Sequence, residues 1–273
     1  RLLNENFTQL NQDAATWVGE EVSPLWQYGT GVRYPALAVD TYVSHSAAAA
    51  KDWKSASIET RAGILIESLE RVRLRFFELA YATMHTTGQS FMMAFQASGP
   101  HAADRALESI AMGVQELTRY PNDLAFSKPL GNYSLDVQKS WKPIAKGIGL
   151  VIGCSTFPTW NTVPGVYANL ICGNTVIIKP HPKSVLAIAL FVAELRKVIA
   201  GQGYDANIVQ LAPDTVANPI TQALAEHPAI KLIDYTGGNA FGDYVESLDK
   251  TIFTEKSGIN SVIIDSVRDV KAV

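Results

Sequence analysis

The sequence has few cysteines, few histidines and no excess of charge of one sign. Its 273 residues include 2 Cys and 5 His, and 23 basic and 26 acidic side chains give a net charge of -3. Two cysteines are too few for a disulfide framework, and the histidines show no metal-type pairing, so structural zinc is not expected. The basic excess that would indicate a nucleic-acid partner is also missing.

Long apolar runs are missing as well. No uninterrupted run reaches the roughly 20 residues that a membrane helix requires, so no membrane partner is expected. The first six residues are mostly polar and lack a signal-peptide pattern, which predicts a cytoplasmic protein. A hydrophobic content of 47% and a charged content of 18% are those of an ordinary globular protein.

Two common enzyme motifs are absent. The dinucleotide turn Gly-x-Gly-x-x-Gly is not complete, because Gly147 and Gly149 precede a predicted strand and the third position is Ile152. The serine-hydrolase elbow Gly-x-Ser-x-Gly fails because residues 153–157 end in Phe157 instead of glycine. Neither motif therefore supports a function.

Short apolar runs separated by helical stretches dominate the second half of the chain. Residues 148–152 and 175–178 are rich in β-branched side chains and lie far enough apart for a crossover helix, which predicts a parallel βαβ unit. Further strands are predicted at 207–211, 231–235, 251–254 and 262–265, with helices at 184–200, 219–226 and 240–248. The fold class predicted is α/β with a doubly wound parallel sheet.

The first half is predicted to be mostly helical. A short helix covers 47–54, and a long helix begins after Ser57 and ends at Gly88. A third helical stretch runs from about His101 to Arg119. The apolar stripes of these helices are interpreted as core contacts. Residues 125–145 then alternate as an extended hairpin, which lies on its own domain or reaches another subunit.

Polar residues follow three of the predicted strands, where ligands of parallel sheets bind. Lys179 ends one strand, Thr236, Gly237 and Gly238 join a strand to a helix, and Glu255 follows another strand. Exposed N–H groups before a helix can hold a pyrophosphate, and glycine permits its close approach. Taken alone, these residues also fit a solvated lysine, a plain turn and a surface charge.

Several motifs carry a family resemblance. The order strand, x-x-x-Phe-Pro, helix, Gly-Asn-Thr-Val-x-x-Lys-Pro at 154–180, with Tyr-Thr-Gly-Gly-Asn-Ala-Phe-Gly at 235–242 and Thr-Glu-Lys-Ser-Gly at 254–258, resembles the Rossmann-like cofactor-binding domain of the aldehyde dehydrogenase superfamily. Cys-Ser-Thr-Phe-Pro-Thr-Trp-Asn and Lys-Pro-His-Pro are most similar to its phenylacetic acid degradation protein N branch. The resemblance covers roughly the second half of the chain.

The resemblance implies an NADP or NAD cofactor and assigns roles to individual residues. Lys179 would bind the adenosine ribose, and Glu255 would be the general base that activates water to hydrolyse an acyl-enzyme. Thr156 stands where the family has an oxyanion-binding amide, and its hydroxyl can still donate one hydrogen bond. The cofactor-binding residues implied are Ile152, Gly153, Cys154, Ser155, Lys179, Pro180, His181, Thr236, Gly237, Gly238 and Phe241.

Two further features bear on the cofactor and the chemistry. Pro182 replaces a carboxylate that often binds the ribose, so we expect NADP to be accepted at least as well as NAD. The family's catalytic cysteine lies further beyond Glu255 than the chain extends, so Cys154 and Cys172 are interpreted as packing residues. Residues 1–273 would then form a cofactor-binding domain without its catalytic domain and without activity of its own.

Two functions remain open from the sequence. The first is NAD(P)-dependent oxidation of an aldehyde through a cysteine thiohemiacetal and thioester. By resemblance, the substrate would be a ring-cleavage semialdehyde of aromatic-acid breakdown, free or as a coenzyme A thioester, and the hairpin at 125–145 would join a homo-oligomer. The second is a non-catalytic nucleotide-binding or assembly protein that retained the fold.

Overall fold

The computed structural model describes residues 2–259 and 261–269. Its amino-terminal part contains short strands that the sequence reasoning did not predict. Strand β1 pairs antiparallel with β4, and β2 pairs antiparallel with β3. Their bounds are β1 (Thr16–Val18), β2 (Val22–Ser23), β3 (Tyr28–Gly29) and β4 (Tyr34–Ala36).

Helices follow, as predicted, but with different limits. They are α1 (Val39–Trp53), α2 (Ile58–Arg73), α3 (Phe76–Thr87), α4 (Phe91–Ser98) and α5 (Pro100–Leu117). Ser57 caps α2 by accepting a hydrogen bond from the Thr60 amide (3.1 Å), and Gly88, with φ of 78°, ends α3. Both of these predictions are confirmed.

The predicted long helix after Ser57 is wrong in one respect, because it is broken into α2 and α3. Arg75 has non-helical dihedral angles (φ -113°, ψ 12°), and its guanidinium pairs with Glu78 (2.7 Å) and with Glu194 (2.8 Å). Glu194 lies far away in the chain. Helical periodicity depends on local spacing alone, so it cannot predict a tertiary ion pair at this break.

The predicted hairpin is present. Strand β5 (Asp123–Leu130) pairs antiparallel with β6 (Tyr133–Ser140), and Gly131, with φ of 67°, turns the chain between them. Most side chains of both strands are exposed. The hairpin therefore stands away from the core of its own chain.

The second half forms the predicted parallel sheet. Its strands are β7 (Ile148–Ile152), β8 (Thr175–Lys179), β9 (Val209–Leu211), β10 (Ile230–Gly237) and β11 (Thr251–Lys256), in the order β11-β10-β7-β8-β9. The connecting helices are α6 (Pro158–Ile171), α7 (Leu186–Gly201), α8 (Thr221–Glu226) and α9 (Asn239–Glu246). The α/β fold with a doubly wound parallel sheet is confirmed.

One predicted strand is wrong. Residues 262–265 form no strand, and Val262 and Ile263 are 86% and 91% exposed. Their β-branched side chains favour a strand locally, but no neighbouring strand in the described ranges pairs with them. The domain end expected near Val273 lies outside the described residues.

Both faces of the sheet are covered by helices. Val151, Val176 and Ile178 belong to the core on the side of α6 and α7, whereas Leu150 and Ile177 belong to the core on the opposite side. With both faces covered, ligands can reach the sheet mainly at the edge where the strands end and the next helices begin. Among the described residues, no helix is long and apolar enough to cross a membrane.

Candidate functional site

A cleft of about 1130 Å³ opens at the carboxyl edge of the parallel sheet. Every site residue expected from the sequence lines it, although their roles remain predictions. These residues are Ile152, Gly153, Cys154, Ser155, Thr156, Lys179, Pro180, His181, Thr236, Gly237, Gly238, Phe241 and Glu255. The fold thus brings together residues that are about a hundred positions apart in the chain.

Lys179, at the end of β8, is not a solvated lysine. Its side chain is 3% exposed, and its ammonium lies 2.6 Å from Asp214 Oδ1 and donates to the Pro180 carbonyl. Burial lowers the pKa of Lys179, and the attraction of Asp214 opposes that shift. The other carboxylate oxygen of Asp214 accepts from the Ile220 amide (3.0 Å). A buried, hydrogen-bonded ion pair therefore forms this end of the cleft.

Asp214 was missed by the sequence reasoning. The signal was present, because Asp214 follows β9 much as Lys179 ends β8, and neighbouring parallel strands end at one edge. Its carboxylate, paired with Lys179, lines the same cleft as Pro182, the position where the sequence lacks a carboxylate. The electrostatic reason for expecting NADP to be accepted as well as NAD is correspondingly weaker.

The turn between β10 and α9 forms the middle of the cleft. A Cβ added at Gly238 would meet no atom within 4 Å, whereas one added at Gly237 would lie 2.4 Å from the Tyr235 hydroxyl. Gly238 is the residue before α9, so the free amides of the first helical turn lie beside this open backbone. The Phe241 ring packs against Tyr235 at 5.6 Å between centroids.

Glu255 and Thr156 lie at the other end of the cleft and are connected through α6. Asn161, in the first turns of α6, donates to Glu255 Oε2 (3.0 Å). The Cys154 thiol lies 3.9 Å from Asn161 Oδ1 and 3.5 Å from the Thr156 hydroxyl. Asn161 was not predicted, although it closes the Thr-Phe-Pro-Thr-Trp-Asn run that carries the resemblance. It holds one orientation of the Glu255 carboxylate.

A second carboxyl lies beneath Glu255. Asp234 is half-buried on β10, next to Val151 of β7, and faces α6. Burial, and then the charge of Glu255, raise the pKa of Asp234 from 3.8 to about 6. No sequence motif singled out this residue, because the alternation of polar and apolar residues around it resembles that of any strand with one polar face.

The two cysteines have different surroundings. Cys154 is half-buried in the cleft, where it contacts Thr156 and Asn161. Cys172, just after α6, lines a separate cavity of about 760 Å³ near the base of the hairpin. Burial raises the pKa of the Cys172 thiol, opposed by Arg61. Cys172 packs against the core, as expected.

These features define an α/β domain of the doubly wound type, with a ligand cleft built from strand ends, a glycine turn and a helix amino terminus. The aldehyde dehydrogenase family profile matches residues 29–273. Because this match covers most of the sequence, the chain belongs to the aldehyde dehydrogenase family.

Individual relatives agree with the family. The NAD-dependent aldehyde dehydrogenase from Burkholderia multivorans superposes with a TM-score of 0.90 at 43% identity, covering 94% of this chain and 47% of that one. The chain is 24% identical over 244 residues to 1-pyrroline-5-carboxylate dehydrogenase 2 of Bacillus subtilis (strain 168), covering 84% and 44%. It is 26% identical over 212 residues to 2-hydroxymuconic semialdehyde dehydrogenase of Pseudomonas sp. (strain CF600), covering 76% and 41%.

Other structures with the same fold contain dinucleotides. A 1-pyrroline-5-carboxylate dehydrogenase from Thermus with bound NAD matches with a TM-score of 0.70 at 19% identity, covering 90% of this chain and 47% of that one. The chain spans less than half the length of these relatives.

Proposed function

We propose that residues 1–273 form the cofactor-binding domain of an NAD(P)-dependent aldehyde dehydrogenase. The observation that carries this proposal is the single cleft that contains Lys179, the glycine turn and Glu255. The residues present fit a dinucleotide, because the open backbone at Gly238 leaves space for a pyrophosphate beside the amides of α9. The family membership and the NAD-dependent relative support the same proposal.

The adenosine end is assigned to Lys179 and the turn. The Lys179 ammonium is held by Asp214 and Pro180, and such a fixed donor can hydrogen-bond ribose hydroxyls without losing further side-chain freedom. Gly237 and Gly238 would face the pyrophosphate, and His181 and Phe241 would border the adenosine. Both NAD and NADP are accommodated by the proposal, since the Lys179–Asp214 pair carries no net charge.

The chemical end is assigned to Thr156 and Glu255. When bound, the nicotinamide ring accepts the hydride that the substrate loses. The Thr156 hydroxyl would donate to the developing oxyanion, and the Glu255 carboxylate, oriented by Asn161, would take a proton from the water that hydrolyses the thioester. Thr156 and Glu255 both line this cleft.

We assign the nucleophile to neither cysteine of this chain. Cys172 lines a different cavity from Glu255, and burial raises its thiol pKa. Cys154 shares its surroundings with Thr156, so it competes for the space in which an oxyanion would be bound. The thiohemiacetal and thioester would form on a cysteine of the natural protein outside residues 1–273, and this stretch alone is expected to be inactive.

The substrate class is proposed to be a semialdehyde from aromatic-acid breakdown, as in the phenylacetic acid degradation protein N branch. The motifs at 154–161 and 179–182 support the branch, and the likeness to 2-hydroxymuconic semialdehyde dehydrogenase supports the class. A coenzyme A thioester of such a semialdehyde is included in the proposal.

A homo-oligomer is proposed through the hairpin of β5 and β6. Leu124, Phe126, Tyr133 and Leu135 are 43–68% exposed on it, which is unusual for large apolar side chains on an isolated hairpin. A second copy that pairs with the hairpin would cover them.

Replacing Glu255 tests the proposed function. In the natural protein that contains this chain, Glu255→Gln should leave the first burst of NAD(P)H intact and slow steady turnover by about 10²–10⁴-fold, because acyl-enzyme accumulates. Stopped-flow absorbance at the NAD(P)H band separates the two phases. Absence of any NAD(P)H formation by the parental protein with all aldehydes, despite cofactor binding, would instead favour a non-catalytic nucleotide-binding protein.

A further inference from the structure

Asp234 is a carboxyl whose burial is not compensated. It is half-buried against α6, yet no hydrogen bond or ion pair to its side chain is found among residues 2–259 and 261–269. An unpaired carboxyl in such a place costs stability, so it calls for a functional explanation. The Glu255 charge is the nearby charge that acts on it.

Glu255 and Asp234 both contact the same face of helix α6. Asn161 donates to Glu255, while a Cβ added at Gly165 would lie only 2.1 Å from Asp234 Oδ2. Asn161 and Gly165 are four positions apart and share one face of the helix. Asp234 and Glu255 therefore contact positions of α6 that are about one helical turn apart. The absence of a side chain at Gly165 provides the room for this carboxyl.

The sheet register gives the same placement independently. Glu255 of β11 lies opposite Thr236 of β10, and Asp234 lies two residues before Thr236. Side chains two residues apart in a strand point to the same face. Glu255 and Asp234 therefore lie on the α6 face, as diagonal neighbours of adjacent strands.

No cation lies on this face to neutralise the pair. Helix α6 and strand β7 contain no charged residue. Lys256 of β11 is directed to α9, where it pairs with Asp243 and Glu246 at 2.8 Å each. On α8, Glu226 accepts from Tyr244. Among the described residues packed against β10, Glu255 is the charged group that faces Asp234.

We propose that Asp234 is the proton partner of Glu255, holding the proton that Glu255 removes from the hydrolytic water. In this step a water O–H bond breaks and Glu255 is protonated while the hydroxide adds to the thioester carbonyl. The C–S bond of this adduct breaks and the thiolate leaves. The Glu255 carboxyl then gives its proton, relayed by one water, to the Asp234 carboxylate, which restores Glu255 as a base. Asp234, which is half-buried, returns the proton to solvent.

This proposal rests on the proposed role of Glu255, and it makes a distinct prediction for pH. Since the pKa of Asp234 is about 6, Asp234 is mostly ionised at neutral pH and can accept a proton there. Below that pH it is protonated, so hydrolysis should slow as the pH falls through about 6. Cofactor binding at the Lys179 end should not follow this titration.

The test uses three variants of the natural protein: Asp234→Asn, Glu255→Gln and the exposed control Asp249→Asn. Asp234→Asn keeps the size of the side chain but cannot accept the proton, so the acyl-enzyme hydrolysis rate should fall about ten- to a hundredfold with unchanged NAD(P) affinity. The acidic limb near pH 6 should disappear from its pH–rate profile. Asp249→Asn should keep the parental rate and profile.

A titration that does not depend on turnover complements the kinetics. NMR of the natural protein with isotope-labelled aspartate carboxyls should show an Asp234 signal with a midpoint near 6, absent in Asp234→Asn. Glu255→Gln removes the like charge and should lower this midpoint. If the Asp234 midpoint does not respond to Glu255→Gln, the two carboxyls do not interact and the proposal is overturned.

The outcomes separate this proposal from the proposed function. Full hydrolysis by Glu255→Gln would overturn the role of Glu255 itself. Slow hydrolysis by Glu255→Gln together with a parental rate and pH profile for Asp234→Asn would overturn the proton partnership alone. Where Asp234→Asn is slow, Asp234→Glu should recover part of the rate, whereas a purely structural defect would not be relieved by a longer carboxyl.

Discussion

The carboxylates near the two ends of the cleft have opposite surroundings. At the Lys179 end, Asp214 is 3% exposed and is neutralised by an ammonium at 2.6 Å. At the Glu255 end, Asp234 has a second carboxylate as its charged neighbour and its pKa is raised to about 6. A paired charge keeps one protonation state and a fixed geometry, which suits binding. An unpaired carboxyl changes its protonation near neutral pH, which suits proton transfer.

The largest effect is expected from removing the cation of the Lys179–Asp214 pair, which defines the paired end of the cleft; the end at Glu255 is the unpaired end. Lys179→Met leaves Asp214 buried without its cation, so the free energy of unfolding should fall by about 3–5 kcal/mol. Urea unfolding measured at neutral pH provides the value. The exposed neighbour Lys183 is the matched control, and Lys183→Met should change the stability little. A loss below about 1 kcal/mol for Lys179→Met would show that the ion pair is solvated in solution.

The next effect concerns the oxyanion donor at the unpaired end. Thr156→Val removes a hydroxyl without changing the shape of the side chain, and loss of one preorganised donor typically lowers the rate about 10²–10³-fold. Steady-state kinetics of the natural protein and calorimetric titration of the cofactor should show slow turnover with nearly unchanged affinity. Thr16→Val, at an exposed position of β1 outside the cleft, serves as control. A parental rate for Thr156→Val would reduce Thr156 to a structural role.

Much of this comparison could be predicted from the sequence, and part of it could not. The β-branched runs at β7 and β8 and the polar residues after them indicate one edge of a parallel sheet, because all carboxyl ends meet there. Asp214 and Asp234 were not predicted, because their surroundings depend on the order of the strands within the sheet. Only the placement of β9 beside β8, and of β10 between β7 and β11, shows which side chain each carboxylate meets.

Local propensity also failed where tertiary contacts decide. The predicted helix after Ser57 breaks at Arg75, whose guanidinium reaches Glu194 of α7. Residues 262–265 have the composition of a strand but no strand beside them in the described part of the chain. In both cases the structure depends on the presence or absence of a partner that is distant in sequence, and a short window of neighbouring residues does not include such a partner.

A smaller effect, on the pH dependence of stability, is expected from the unpaired carboxyl of Asp234. The folded state raises the pKa of Asp234 from 3.8 to about 6, so the folded protein binds more protons than the unfolded chain within that window. Its stability should therefore decrease as the pH rises from about 4 to about 6 and stay low above. Asp234→Asn removes this penalty and should be more stable at pH 7 by on the order of 2 kcal/mol.

Chemical denaturation at both ends of this window measures the effect. The advantage of Asp234→Asn over the parental protein should vanish near pH 4, and Asp249→Asn should give no pH-dependent difference. A constant difference between Asp234→Asn and the parent at every pH would mean that Asp234 does not titrate in this range.

The smallest effect concerns cofactor choice at the paired end. Asp214→Asn keeps the acceptor for the Ile220 amide but leaves the Lys179 charge uncompensated, which favours a 2′-phosphate. A single Coulombic contact of about 1 kcal/mol corresponds to a several-fold change in affinity. Calorimetric titrations should show that the ratio of NADP to NAD affinity rises in the variant. An unchanged ratio would place the adenosine ribose away from Asp214.

The central claim is that one cleft binds the dinucleotide at its paired end and performs proton chemistry at its unpaired end. The most direct measurement is a crystal structure of the natural protein with NAD. We expect the adenosine ribose within hydrogen-bonding distance of Lys179, the pyrophosphate at the first turn of α9 beside Gly238, and the nicotinamide towards Thr156 and Glu255. A dinucleotide with its nicotinamide at Lys179, or one bound in the cavity beside Arg61, would contradict it.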